Sequence, residues 1–140
     1  MKNKKGFTLV ELLAVIAVIG VLISMAAVST VKIMNNGKKK TEKLSAKDYV
    51  TAVNDYNVIA EKTNRISTSN CNCSAISATV IRCKVEGSNG VSTLIKDSIS
   101  GRLPKSGTVD INTTTYKVVS AKIKVKNYTI NYSNGKYSIN

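Results

Sequence analysis

The chain has 140 residues, 21 of them Lys or Arg against 8 Asp or Glu, giving a formal net charge of +13, with no His, three Cys and one Pro. That length suits one modest core beyond any membrane segment and is too short for a multidomain enzyme, while the missing imidazole removes the side chain most used in acid–base work. The positive excess points to anionic partners: nucleic acid, an anionic membrane surface or an anionic cell-wall polymer.

Lys2, Lys4 and Lys5 open the chain, and an apolar run follows. Leu12 to Ile23 holds no polar side chain, and Ser24, Ser29 and Thr30 only lightly interrupt the continuation to Val31. The run approaches the ~20 residues that span a bilayer. Basic residues ahead of it favour a cytoplasmic N-terminus with everything after Val31 outside, a bias that Lys32 and Lys38 to Lys40 weaken. Glu11 is the anomaly, because a carboxylate near mid-bilayer costs ~2.5–3.5 kcal/mol and calls for a partner.

Three readings compete here. A secretory signal peptide would use Ser24-Met25-Ala26 as its cleavage site and leave a mature chain starting at Ala27; a plain membrane anchor is the second. Both leave Glu11 unexplained. The third rests on Gly6-Phe7-Thr8-Leu9-Val10-Glu11-Leu12-Leu13, which resembles the processing motif of type IV prepilins and of the related pseudopilins of type II secretion and competence systems. The resemblance covers about residues 1 to 31. It implies that a prepilin peptidase cuts between Gly6 and Phe7 and methylates the new amino group of Phe7. It also implies that Glu11 of one subunit meets the cationic Phe7 terminus of a neighbour in a filament. The partners it implies are pilin subunits, the peptidase, membrane lipid before assembly and the plasma-membrane assembly machinery; no cofactor or metal is expected. The chain departs from many pilins in lacking a proline midway along the apolar helix, its only proline being Pro104. A continuous helix through residues 7 to 34 is therefore expected, with Gly20 its weak point at ~1 kcal/mol.

Asn35-Asn36-Gly37 would stop the helix, bend it or be overridden. The helical pattern resumes from Thr41 to about Lys62, with Tyr49, Val53, Tyr56 and Ala60 on one stripe. Lys38, Lys39, Lys40, Lys43 and Lys47 read as a basic flank at the level of lipid head groups. The expected fold is α+β and pilin-like: a long N-terminal helix, membrane-spanning in its first half and amphipathic in its second, packed on a C-terminal antiparallel sheet. The segments are a leader at 1–6, an apolar helix at 7–34, an amphipathic continuation at 35–64 and a β-rich head at 65–140.

Residues 64 to 75 read as a loop, Ala78 to Val85 as a strand, Val91 to Ile99 as a short helix and Gly101 to Gly107 as a loop. Further on, Val119, Ala121, Ile123 and Val125 alternate with Ser120, Lys122, Lys124 and Lys126, the pattern of a half-buried strand. A turn at Lys126-Asn127 pairs Val125 with Tyr128, Ile123 with Ile130 and Ala121 with Tyr132. Asn134-Gly135 then makes a hairpin pairing Tyr132 with Tyr137 and Ile130 with Ile139. The result is a three-stranded meander whose outer face carries Lys122, Lys124 and Lys126, either simply solvated or a candidate surface for DNA or another polyanion.

The cysteines lie outside the membrane on this topology, so Cys83 can form a disulfide with Cys73 or with Cys71, the third thiol staying free or linking subunits. Cys-x-Cys plus one Cys without His is poor zinc spacing. No phosphate loop or paired carboxylates appear, so the chain reads as a structural protein and not an enzyme.

Overall fold

The computed structural model describes residues 7–61, 64–99 and 101–140. It divides into two compact units, Met1–Lys38 and Lys39–Asn140. One helix, α1 (Leu9–Ile59), contributes to both. Asn35-Asn36-Gly37 lies within it, so the helix overrides that signal. Good helix formers follow at Lys38 to Lys40, and a single Gly costs only ~1 kcal/mol against Ala.

In the first unit α1 is apolar around its circumference, with Leu12, Leu13, Val15, Ile16, Val18 and Ile19 all exposed. Such a helix needs an apolar surrounding, lipid or other helices. Among the described residues it is the one helix long and apolar enough to cross a membrane.

The second unit holds a six-stranded antiparallel sheet whose spatial order is its chain order: β1 (Cys73–Ser77), β2 (Val80–Lys84), β3 (Ser106–Asn112), β4 (Val118–Val125), β5 (Tyr128–Ser133) and β6 (Lys136–Ile139). A short helix α2 (Val91–Ile95), continued by a 3₁₀ turn at Lys96–Ser98, links β2 to β3. The buried α1 side chains are Glu42, Ala46, Tyr49, Val50, Ala52, Val53 and Asn57, all but Ala52 on one 3.6-residue stripe that faces the sheet. It is centred one turn earlier than the expected Tyr49/Val53/Tyr56/Ala60 stripe. Tyr56 is only half-buried, its hydroxyl donating to the Asn64 carbonyl at 3.1 Å. Facing this stripe, the sheet supplies Ile81, Cys83, Val109, Ile111, Ala121, Ile123, Val125 and Ile130. Polar ties fix the helix on the sheet: the Val118 amide donates to Asn54 Oδ1 at 2.8 Å, and fully buried Asn57 accepts from the Ile66 amide at 3.0 Å and donates to the Tyr116 carbonyl at 3.2 Å. Both ends of the Asn57 amide are thus satisfied, as a buried polar group requires.

The β4–β6 meander has the expected register at Val125/Tyr128, Ile123/Ile130, Ala121/Tyr132, Tyr132/Tyr137 and Ile130/Ile139. Asn134 and Gly135 both have positive φ, 46° and 85°, the hallmark of a type I′ turn.

Elsewhere the structure corrects the sequence reading. The expected meander is half of a six-stranded sheet, of which β1 and β3 were not among the expected strands. The segment at 64–75 ends in edge strand β1, whose residues after Cys73 are exposed and so carry no alternation. Ala78 and Thr79 form the β1–β2 turn, which shortens the strand expected from Ala78. Strand β3 went unread because Gly107 and Asp110 interrupt it; Gly107, at φ 143°, sits where any Cβ would strike the Lys122 carbonyl. A bulge pairs Asp110 with Ser120 and then Ile111 with Val118. Val119 is the extra residue, and Val118 takes the buried place expected for it. The helix expected over Val91 to Ile99 stops being α-helical at Ile95, and Ile99 is extended.

Candidate functional site

The start of α1 is built by two side chains. Thr8 precedes the first helical residue, and its Oγ1 accepts from the Glu11 amide at 3.3 Å. Glu11 reaches back, its Oε2 accepting from the Thr8 amide at 2.8 Å and from the Thr8 hydroxyl at 2.9 Å. This reciprocal pair is a capping box, Thr-x-x-Glu, which satisfies amides that have no partner within the helix. The spacing was present in Thr8-Leu9-Val10-Glu11, yet the sequence reading assigned Glu11 to a neighbouring subunit and gave Thr8 no role.

Glu11 Oε1 makes no hydrogen bond among the described residues. One oxygen is held by the cap while the other is open to a cation. Phe7 lies directly before the cap and is 89% exposed. Gly6, the other expected processing residue, and the leader at 1–6 lie outside the described residues, as does Lys62 at the expected helix end.

Cys73 and Cys83 face each other across β1 and β2 and are joined as a disulfide. It ties the segment leaving α1 to the first inner strand. Cys71 is a buried free thiol, and burial pushes its pKa up. Its inaccessibility argues against a link between subunits through it.

Of the three lysines expected together on the outer sheet face, Lys122 and Lys124 are there and exposed, and Lys126 is not. The strand ends at Val125, and Lys126 adopts φ 52° in the turn, which breaks the alternation. Its ammonium instead pairs at 2.8 Å with Glu42 of α1, whose side chain is 5% exposed. Lys84 joins Lys122 on that face: Thr108 is in register with both, so the two lysines lie two strands apart on one side of the sheet. Asp110, on the strand between them, is already engaged. Asp110 accepts Arg82 Nε at 2.7 Å, the second Arg82 nitrogen at 2.8 Å and the Ser120 hydroxyl at 2.6 Å. The Arg82 guanidinium hydrogen-bonded to Asp110 holds its carboxyl below the usual carboxylate range. Among the described residues no cluster of three or more His, Cys, Asp or Glu is placed to hold a metal.

Residues 1–27 match the family model described as the prokaryotic N-terminal methylation motif, the signature of type IV prepilins. No curated protein and no solved structure matches the chain. The motif and the apolar stretch of α1 together fit a membrane-anchored protein exposed at the surface and processed by a prepilin peptidase.

Proposed function

We propose that this chain is a structural subunit of a type IV pilus, or of a type II secretion or competence-like pseudopilus. A prepilin peptidase cuts it after Gly6 and methylates the amino group of Phe7. Until assembly the apolar part of α1 holds it in the membrane with the N-terminus cytoplasmic; afterwards that helix packs in a filament with the sheet outside.

The observation that carries this reading is the methylation motif joined to an unbroken apolar helix whose first turn holds Glu11 with one free oxygen. That oxygen is available to the cationic Phe7 terminus of a neighbour without undoing the cap, and pairing offsets the cost of burying either charge. Mass spectrometry of the mature N-terminus tests it: a chain starting at methylated Phe7 is expected, and one starting at Met1 or Ala27 refutes it. Glu11→Ala is expected to be cut normally and to stay out of filaments; normal incorporation refutes the intersubunit pair.

A second reading rests on the outer sheet face, where Lys84, Lys122 and Lys124 are exposed and Asp110 is neutralised by Arg82. It makes the head a module for DNA or another polyanion, as in a minor pilin or competence pseudopilin. Salt-sensitive DNA binding, lost on replacing these three lysines by Ala, is its signature; no binding at low salt rejects it.

A further inference from the structure

Charge on the exposed face of α1 in the second unit is sorted into two ridges. Lys40 and Lys47, seven residues apart with exposed Lys43 between them, form one, and Asp48 and Asp55, also seven apart, form the other. All four are exposed. Neither ridge has an opposite charge three or four residues away along the helix. The two salt bridges among the described residues, Arg82 with Asp110 and Lys126 with Glu42, leave all four side chains out.

Each lysine precedes its acid by eight residues. At ~1.5 Å and ~100° per residue, the acidic ridge lies about 12 Å further along the helix and about 80° around it from the basic one. Beside the acids runs an open groove, polar where Asp48, Thr51 and Asp55 line it and apolar towards Tyr56, Ile59 and Ala60. Two adjoining cavities of about 320 and 330 Å³ share Ala52, Asp55 and Ser98 and are floored by Tyr56, Ile59 and Ile99. Ile59 is 83% exposed there, and Leu44, between the ridges, is 56% exposed.

We propose that this face docks on a second, parallel copy of the same chain shifted by about 12 Å along the helix. Lys40 and Lys47 of one copy then meet Asp48 and Asp55 of the next. The same shift sets Leu44 opposite Ala52, in the groove. An unshifted parallel pair would oppose lysine to lysine and acid to acid. Because the basic ridge of each copy uses the acidic ridge of its neighbour, the contact is heterologous and leaves both ends open, the geometry that propagates into a filament and does not close into a dimer. The parallel direction rests on the filament reading above, in which every copy enters the membrane by the same end. An antiparallel pair would satisfy the charges differently, joining Lys40 to Asp55 and Lys47 to Asp48.

The test is carbodiimide coupling of filaments grown from an equal mixture of light and nitrogen-15-labelled full-length chain, read by mass spectrometry. Peptides joining a light and a heavy copy through Lys40–Asp48 and Lys47–Asp55 are expected, and high salt before coupling should diminish them. Mixed peptides joining Lys40–Asp55 and Lys47–Asp48, or no mixed peptides from this face, overturn the proposal. Asp48→Lys with Asp55→Lys should abolish filaments while leaving cleavage at Phe7 intact. Adding Lys40→Asp and Lys47→Asp should restore them, and normal filaments from the first pair of changes alone would also overturn it. A wild-type chain that is not cut at Phe7 removes the filament reading and the parallel direction with it; one that is cut and assembles without these cross-links removes the docking alone.

Discussion

Replacing Lys126 by Ala removes the cation held against the carboxylate of Glu42. The pair is 2.8 Å long, with the glutamate side chain 5% exposed and the lysine side chain 49% exposed. At an effective dielectric of ~20 the gross attraction at that distance is about 6 kcal/mol, most of it offset by desolvation of the carboxylate. Stripping a fully buried charge of its partner costs ~3–5 kcal/mol, and the half-open lysine side lets water in, so about 2–3 kcal/mol is expected for Lys126→Ala. For a folded unit of this size that is roughly 10–20 °C in Tm. The assay is thermal unfolding of the full chain in detergent, followed by near-ultraviolet circular dichroism, with Lys124→Ala as the exposed control. Glu42→Gln and the double variant complete a cycle, in which the two single losses should exceed the double loss. If Lys126→Ala stays within ~0.5 kcal/mol of Lys124→Ala, the pair contributes nothing and the account of the β4–β5 turn is wrong.

Three further outcomes follow from the head. Because its carboxyl lies below the usual range when folded, Asp110 contributes stability that is complete above its unfolded pKa and disappears as pH falls through the folded value; Asp110→Asn should flatten the acid limb of a stability–pH curve, and an unchanged limb would contradict the pairing with Arg82. Cys83→Ser should cost ~2–3 kcal/mol by opening the ten-residue separation between Cys73 and Cys83, while native Cys71 should resist alkylation until the chain unfolds; rapid native labelling would show that Cys71 is not buried. Gly107→Ala, which drives a methyl group into the Lys122 carbonyl, should cost ~1–3 kcal/mol, measurable by denaturant unfolding, and a neutral result would mean that β3 is not held this close to β4.

The parts of the fold that could be read from sequence were those where one physical pattern dominates. Ala121, Ile123 and Val125 alternate cleanly with exposed residues, and Asn134-Gly135 is a turn of one kind, so three strands and their register were legible. Strand β1 was hidden because nothing covers its faces after Cys73, which removes the alternation that burial imposes. Strand β3 was hidden by Gly107, needed for a backbone approach, and by Asp110, needed by Arg82 across the ladder. Lys126 was misplaced because alternation was carried one residue beyond the strand, and the buried carboxylate that draws it away is 84 positions earlier in the chain. At the N-terminus the Gly6-Phe7-Glu11 pattern was recognisable at once, whereas the role of Thr8 became plain only when Glu11 was seen to fold back on it.

The order of the six strands in space is their order in the chain, so every strand pairs with the one made just before it. Apart from the link through α2 between β2 (ending at Lys84) and β3 (starting at Ser106), such a sheet closes only short loops as it grows, and neighbour-to-neighbour pairing favours rapid folding. After β1, no strand waits for a later one in order to enter the sheet, and the disulfide lies in the first hairpin, where both cysteines are in place before β3 has formed. The head can therefore be built in one direction, from its N-terminal edge outward, with β6 the last strand to add and the one whose loss leaves every earlier pairing intact.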